Sequence, residues 1–274
     1  MPEKYVFINN SFIAENLATL HISDLSVQRG YGIFDFFKTI NGQPIFIKDH
    51  LERFYHSAAS MHLPVKQSPD QLESILMELL AKNNIQDSGV KLILTGGYSD
   101  DGYTQPAVPN LVITQHPLSV PLEFNFNGIN LVTYNYQRQL PEMKTIDYSM
   151  AIWLQPFIKE NSADDVLYHS GGLVKEVPRA NFFIVTADGE IVTAKSNVLR
   201  GVIRGNILNL KDSGFRITER DFDLEELYGA SEAFITSTTK HILPVLRVND
   251  KVFKQSSISK RLSDLLLQKV RSQI

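Results

Sequence analysis

Two ionisable residues of the chain, Lys144 and Glu176, together suggest a specific cofactor chemistry. A lysine amine can form a Schiff base with an aldehyde, and a carboxylate beside a pyridine ring can keep the ring nitrogen protonated. Pyridoxal 5'-phosphate needs both interactions to draw electrons from a bound substrate. Because lysines and glutamates are numerous here, the hypothesis also requires residues that could hold a phosphate group.

Three segments offer such residues. The segment 201–204 reads Gly-Val-Ile-Arg at the predicted start of a helix, so the amides of Val202 and Ile203 would point toward an anion. The segment 236–239 reads Thr-Ser-Thr-Thr and ends an apolar strand with four hydroxyl groups. Arg53, on a predicted helix, could bind a phosphate through two parallel hydrogen bonds. Each motif alone is weak evidence, because short patterns often match by chance.

Local signals predict the elements that carry these residues. Asn41-Gly42 between two apolar runs predicts a β-hairpin. Asp49 is the predicted cap of the helix that contains Arg53. The pattern 68–71, Ser-Pro-Asp-Gln, predicts a helix that begins with a capping box. One apolar helix is predicted over residues 149–158, just after Lys144.

The mixture of strands and helices indicates an α+β chain with two domains. Two prolines and a serine between residues 117 and 121 predict a linker. We therefore predict a small N-terminal α/β domain over 1–117, a linker over 118–122 and a larger domain over 123–274.

Composition excludes several other kinds of protein. The chain has no cysteine, which rules out thiol catalysis and thiolate metal sites. Its net charge of −3 gives no reason to expect a nucleic acid or an anionic membrane as partner. Neither a signal-peptide pattern nor a membrane-spanning apolar run is present, and the histidines lack metal-ligand spacing. The expectation is a cytoplasmic protein without a metal.

The candidate segments occur in an order that resembles the class IV aminotransferases, the fold type IV pyridoxal-phosphate enzymes. Nearly the whole chain takes part in the resemblance, and the form Arg-Gly-Tyr-Gly-Ile-Phe-Asp at 29–35 is most similar to D-amino acid transaminase-like members. The resemblance implies a small α/β domain, a larger β-barrel-like domain with flanking helices, and a homodimer. The other segments that carry it are 50–53, 144–148, 176–181, 201–204 and 234–239.

The resemblance also implies roles for individual residues. Lys144 becomes the Schiff-base lysine, and Glu176 becomes the partner of the pyridine nitrogen. Tyr148 would donate a hydrogen bond to the ring hydroxyl of pyridoxal phosphate. The phosphate would be held by Arg53, Thr238 and the amides of Val202 and Ile203.

Substrate recognition departs from the family pattern. D-amino acid transaminases have an arginine where this chain has Gly96, after Thr95, and that arginine binds the substrate carboxylate. We therefore predict that Arg29 and Arg179 bind the carboxylate instead, because a buried carboxylate needs a cation or several amides. Further candidates for the substrate pocket are Phe34, Phe36, Tyr98, Thr239 and Lys240.

Several functions remain open on the sequence alone. The first is an aminotransferase that exchanges an amino group between an amino acid, with D-amino acids favoured, and a 2-oxo acid by a ping-pong mechanism. The second is a branched-chain L-amino acid aminotransferase. A 4-amino-4-deoxychorismate lyase is third, and the arginines it would need are missing. A non-catalytic cofactor-binding protein is disfavoured because both Lys144 and Glu176 are present.

Overall fold

The computed structural model describes residues 3–119, 121–210, 214–253 and 256–274. They form two compact units. The N-terminal unit comprises Met1–Val120, Met143–Asp147 and Gln273–Ile274, and the C-terminal unit comprises Pro121–Glu142 and Tyr148–Ser272. Val120, in the predicted linker, lies outside the described residues. The domain boundaries drawn from the sequence remain a proposal.

Helices and strands are interspersed along the chain. The helices are α1 Leu25–Arg29, α2 Ile47–Ser60, α3 Pro69–Asn83, α4 Ser149–Trp153, α5 Gln155–Glu160, α6 Val202–Leu208, α7 Leu224–Gly229 and α8 Ser257–Arg271. The strands are β1 Tyr5–Ile8, β2 Ser11–Ala14, β3 Gly32–Ile40, β4 Gln43–Pro44, β5 Ser88–Thr95, β6 Leu111–Pro117, β7 Ile129–Asn135, β8 Asp165–Ser170, β9 Leu173–Val174, β10 Glu176–Val177, β11 Ala180–Val185, β12 Ile191–Thr193, β13 Ile217–Glu219, β14 Glu232–Ser237, β15 His241–Val248 and β16 Lys251–Val252.

The N-terminal unit is an antiparallel sheet with two helices against it. Its strand order is β2-β1-β6-β5-β3-β4. The apolar sides of α2 and α3, including Phe54 and Leu76, pack in one buried cluster with Phe37 of β3 and Leu92 of β5. This packing fixes α2, which carries Arg53, beside β3, which carries Phe34.

The described part of the C-terminal unit contains a ten-stranded mixed sheet. The order is β13-β12-β11-β14-β15-β7-β8-β9, with β10 paired to β11 and β16 paired to β15. Its core includes Phe182, Ile184, Ile235 and Val245, all of which are buried. Two residues, Pro178 and Arg179, link β10 to β11 in a tight hairpin that holds Glu176 opposite Asn181.

Most local predictions are confirmed, but two helix boundaries differ. The hairpin at Asn41-Gly42 and the capping box at Ser68 are both present. Helix α2 begins at Ile47 instead of being capped by Asp49; Phe46 precedes it in a left-handed conformation, and its amide donates to Oε1 of Gln273.

The predicted helix over 149–158 is two helices, because Pro156 cannot donate a backbone hydrogen bond to the preceding turn. Among the described residues, no helix has the length and apolar character that crossing a bilayer requires.

Candidate active site

Lys144 lies on the edge of the N-terminal unit, although it belongs to the second half of the chain. The amide of Phe34 donates to the Lys144 carbonyl at 2.9 Å, and the Lys144 amide donates to the hydroxyl of Ser57 at 3.2 Å. Thr145 forms an antiparallel bridge with Ile33. The Lys144 ammonium lies 4.5 Å from the centre of the Phe34 ring. Backbone pairing to β3 therefore fixes the Lys144 amine beside an aromatic side chain.

Arg53, the predicted phosphate ligand of this unit, is held by a buried carboxylate. Its Nε and Nη2 donate to the two oxygens of Asp35, each at 2.8 Å. Nδ1 of His50 also lies 2.7 Å from Asp35. The Arg53 Nη1 group makes no hydrogen bond to a residue that the structure describes, so one face of the guanidinium is available to an anion.

Burial and charge set the ionisation of this group. Burial would raise the pKa of Asp35, but the charges of Arg53 and His50 and their hydrogen bonds hold it well below its usual range. Burial lowers the pKa of His50 despite the opposing effect of Asp35, and Arg53 and Lys144 lower it further. At neutral pH the result is an ionised Asp35, a charged Arg53 and a neutral His50.

We expect Asp35→Ala to lower the free energy of unfolding by about 3–5 kcal/mol, because it leaves the Arg53 charge without its partner. Urea unfolding of the apoprotein measures this loss. The depressed pKa of Asp35 stabilises the fold above about pH 3.8, its ordinary pKa, and that contribution is lost as the pH falls. Asp35→Asn should therefore remove part of the acid dependence of stability.

The control for this prediction is Asp100→Asn, which changes an exposed carboxylate in the same unit. We expect a change below about 0.5 kcal/mol. If both asparagine variants kept the wild-type dependence on acid, the buried ion pair would not stabilise the fold as described.

The structure also explains why no arginine follows Thr95. A Cβ atom on Gly96 would lie 2.7 Å from Cβ of Leu25 and 2.9 Å from the Tyr31 ring. The Thr95 hydroxyl donates to the buried carboxylate of Asp24 at 2.7 Å, which fixes this turn. A long side chain at position 96 would thus require the backbone to move.

The other substrate candidates of the N-terminal unit lie in different surroundings. Arg29 is exposed, and its Nη1 donates to the carbonyl of Gln28. Tyr98 is exposed and contacts the ring of His21 edge to face. Phe34 and Phe36 lie on one face of β3 and are half-buried.

Glu176, in the C-terminal unit, accepts hydrogen bonds at both of its carboxylate oxygens. Nη1 of Arg138 donates to its Oε1 at 2.7 Å. Its Oε2 accepts from the Leu199 amide at 3.0 Å and from Nδ2 of Asn181 at 3.4 Å. Glu176 is buried, and the Arg138 guanidinium stabilises its ionised form. The arrangement suits a carboxylate that must stay charged beside a protonated ring nitrogen.

The phosphate candidates of this unit lie near Asn181. Gly201 approaches it so closely that a Cβ atom there would clash with Oδ1 of Asn181. Val202 and Ile203 follow in the first turn of α6. Thr236 pairs across the sheet with Asn181, and its buried hydroxyl has no partner among the described residues. Thr238 is half-buried in the turn that follows β14.

Tyr148 and Arg179 line one cleft of the C-terminal unit. The cleft has a volume of about 640 Å³ and is bordered by residues of α4 and α5. The Arg179 side chain is 67% exposed and lies 3.6 Å from Asp165. Its guanidinium is therefore anchored on one side and open on the other, and the volume is ordinary for a small-molecule site.

Two further substrate candidates follow β14. Thr239 is exposed and lies 3.4 Å from the hydroxyl of Ser237, and Lys240 is half-buried. Burial lowers the pKa of Lys240, and Arg179 lowers it further, although Asp165 has the opposite effect. Arg179 and Lys240 are therefore close enough for their positive charges to repel each other.

Each unit contains groups of the kinds that pyridoxal phosphate requires. The cofactor aldehyde requires an amine, which Lys144 has, and the pyridine nitrogen requires a carboxylate, which Glu176 has. The phosphate requires hydrogen-bond donors, and Arg53 and the buried hydroxyl of Thr236 are of that kind. Among the described residues, no group of three or more histidines or acidic residues could hold a metal.

One residue of this site was missed in the sequence. Arg138 follows β7 in an irregular segment, and its partner Glu176 is far away in sequence. No local spacing pattern identifies such a pair. A search for cations near each predicted catalytic carboxylate would have required the fold.

Known proteins share both sequence and fold with this chain. The putative branched-chain-amino-acid aminotransferase of Methanocaldococcus jannaschii is 25% identical, over 92% of this chain and 91% of its own length. The D-alanine aminotransferase of Listeria monocytogenes serotype 4b is 30% identical, over 89% of this chain and 87% of its own length.

Solved structures agree with the expected fold. The branched-chain amino acid aminotransferase of Escherichia coli has a TM-score of 0.88 and 22% identity, and the match covers 98% of this chain and 94% of that one. A hypothetical aminotransferase of Mycobacterium tuberculosis in a PLP-bound form has a TM-score of 0.83 and 18% identity, with 98% and 100% covered. The predicted fold type IV architecture is thereby confirmed.

A family model provides the assignment. The model described as amino-transferase class IV matches residues 32–248. Class IV aminotransferases are pyridoxal-phosphate enzymes, so the predictions of enzyme class and cofactor are confirmed at the level of the family. By this match and by its relatives, the chain belongs to the class IV aminotransferases.

Proposed function

We propose that this protein transfers an amino group between an amino acid and a 2-oxo acid by a ping-pong mechanism, with D-amino acids preferred. The observation that carries the proposal is the buried Glu176, whose charge is held by Arg138 at 2.7 Å. A protein that only stored the cofactor would not need an ionised carboxylate in this position. The D-alanine aminotransferase relative supports the preference for D-amino acids.

Lys144 and Glu176 have distinct tasks in this mechanism. Pyridoxal phosphate, when bound, supplies an aldehyde for the amino group and a ring that accepts electrons. Lys144 would take the proton from Cα of the amino acid as a base and would later deliver it as an acid. Glu176 would keep the ring nitrogen protonated. Water would release the first 2-oxo acid by hydrolysis, and a second 2-oxo acid would then take up the amino group.

The remaining predicted ligands hold the cofactor in place. Arg53, through Nη1, and Thr238 would bind the phosphate together with the amides of Val202 and Ile203. Tyr148 would donate a hydrogen bond to the ring hydroxyl. We further propose a homodimer in the cytoplasm, as the resemblance to the family implies.

Four amino acids test the proposed activity directly. The yellow holoenzyme is mixed separately with D-alanine, D-glutamate, L-leucine and L-glutamate, and the visible absorption band of the cofactor is followed. The proposal expects the D-amino acids to bleach the band fastest. Bleaching by L-leucine instead would favour the branched-chain activity, and no response to any amino acid would overturn the aminotransferase proposal.

Arg179 is the proposed ligand of the substrate carboxylate in the C-terminal unit. We expect Arg179→Ala to raise KM for amino acids about tenfold, because a charged hydrogen bond at a partly exposed site is lost. KM for an amine without a carboxylate should change little. The matched control is Arg216→Ala, since Arg216 is 60% exposed and also pairs with an aspartate. Equal effects on amino acids and amine would contradict the assignment.

A further inference from the structure

A buried carboxylate of the N-terminal unit joins three segments of the chain. Asp24 is fully buried, and its Oδ1 accepts from the Ser26 amide at 2.8 Å, which caps α1. Its Oδ2 accepts from the Thr95 hydroxyl at 2.7 Å and from Nδ2 of Asn110 at 2.8 Å. Asp24 forms no ion pair within the described ranges, so its contacts are these hydrogen bonds.

The two donors to Oδ2 stand at the two ends of one loop. Thr95 ends β5 and Asn110 precedes β6, so Asp24 holds both ends of the loop 96–109. The Thr95 hydroxyl also accepts from the amides of Gly97 at 3.2 Å and of Asn110 at 3.3 Å. Because a buried polar group without a partner is costly, a change at Asp24 would disturb both ends of the loop at once.

Backbone hydrogen bonds pair the same loop with the start of α1. The Leu25 amide donates to the Gly97 carbonyl at 3.0 Å, and the Ser99 amide donates to the Ser23 carbonyl at 3.1 Å. Asp24 lies between Ser23 and Leu25, at the centre of this pairing. The side chain of Asp24 and the backbone around it therefore hold the loop against α1.

Two of the predicted substrate residues belong to these paired segments. Tyr98, in the loop, forms an antiparallel bridge with Asp24, and Arg29 is the last residue of the helix that Asp24 caps. The loop also reaches the Arg29 side chain, since a Cβ atom on Gly102 would lie 3.9 Å from its Nη2. Displacement of the loop from α1 would therefore change the separation of Tyr98 and Arg29.

We propose that Asp24 is a positioning residue for substrate binding, because its carboxylate fixes the loop 96–109 against α1 and so sets the separation of Tyr98 and Arg29. This inference rests on the proposed aminotransferase function. In the described parts of the chain, Asp24 forms no hydrogen bond with Lys144 or with a predicted cofactor ligand. Its loss should therefore weaken substrate binding and leave the proton transfer itself intact.

Steady-state kinetics of the holoenzyme test this role. Asp24→Asn should raise KM for the amino acid about tenfold and change kcat less than about twofold, because an amide nitrogen cannot accept a hydrogen bond. Partial unfolding would instead lower the fraction of active enzyme and so kcat. Adding Asn110→Asp exchanges acceptor and donor, and should return KM to within about threefold of wild type. The matched control is Asp87→Asn, which changes an exposed aspartate that accepts from the Asn41 amide in the same unit and should leave both constants unchanged.

Limited proteolysis separates this inference from the proposed activity. Tyr103 is 83% exposed in the loop, and chymotrypsin cleaves after it at a rate that follows the population of the open loop. Asp24→Asn should speed cleavage about tenfold and the milder Thr95→Val about threefold, and adding Asn110→Asp to Asp24→Asn should reverse the change. Unchanged cleavage, an unchanged KM in Asp24→Asn or no recovery in the exchanged pair would overturn the role of Asp24. If the wild-type protein transaminates no amino acid, the proposed function fails, and cleavage alone decides whether Asp24 holds the loop.

Discussion

Replacing Lys144 with alanine is expected to lower kcat of the half-reaction with an amino acid by about 10⁴-fold or more. The variant loses the amine that bonds to the cofactor aldehyde and the base that removes the proton from Cα. Fold stability should change little, because backbone pairing with β3 and Ser57, not the side chain, holds this segment. Single-turnover absorbance measures the rate, and circular dichroism checks the fold.

Two comparisons sharpen this prediction. Lys144→Arg keeps a cation over the Phe34 ring but cannot form the bond to the aldehyde, so it should be as inactive as the alanine variant. Adding a small primary amine should partly restore proton transfer in Lys144→Ala. A residual rate within about tenfold of wild type would show that Lys144 is not the base.

Replacing Glu176 with glutamine is the change with the second largest expected effect on catalysis. We expect kcat to fall by about 10²–10³-fold, because a neutral amide cannot hold a proton on the pyridine nitrogen. The substitution would also remove the negative charge that faces the Arg138 guanidinium at 2.7 Å. Steady-state kinetics and the absorption maximum of the bound cofactor measure both effects.

Glu226→Gln provides the matched control. Glu226 also pairs with an arginine, Arg220, in the same unit, but it is not among the cofactor ligands. Its loss should leave kcat unchanged. In a double-mutant cycle, Arg138→Met should recover part of the rate lost in Glu176→Gln, because it removes one positive charge close to residue 176. Full activity in Glu176→Gln would contradict the role assigned to this carboxylate.

The sequence was informative where local chemistry determines structure. The Asn41-Gly42 hairpin and the Ser68 capping box depend on residues only a few positions apart, and both are present. The position of Gly201 before α6 also follows from such a local signal. Helix boundaries were less reliable, since Gln273, from the other end of the sequence, accepts the hydrogen bond from the residue before α2.

The site was harder to predict where it depends on pairs that are distant in sequence. The backbone pairing between the Lys144 segment and β3 joins residues far apart in the chain, and no local residue pattern predicts it. The same is true of Arg138 with Glu176. In each case the sequence provides the charges, and the pairing of strands decides which of them meet.

Asp35 shows a different limit. The sequence assigned no role to this aspartate, whereas the structure places it against two nitrogens of Arg53 and the ring of His50. This carboxylate therefore positions the predicted phosphate ligand. The packing around Gly96 likewise gives a steric reason for a family departure that the sequence records only as a missing arginine.

The most direct test of the central claim is to find the lysine that bonds to the cofactor. Borohydride reduction of the holoenzyme fixes the cofactor to its lysine, and mass spectrometry of proteolytic peptides then identifies the modified residue. We predict that the phosphopyridoxyl group is on Lys144. Modification of any other lysine instead, or no covalent adduct, would contradict this assignment.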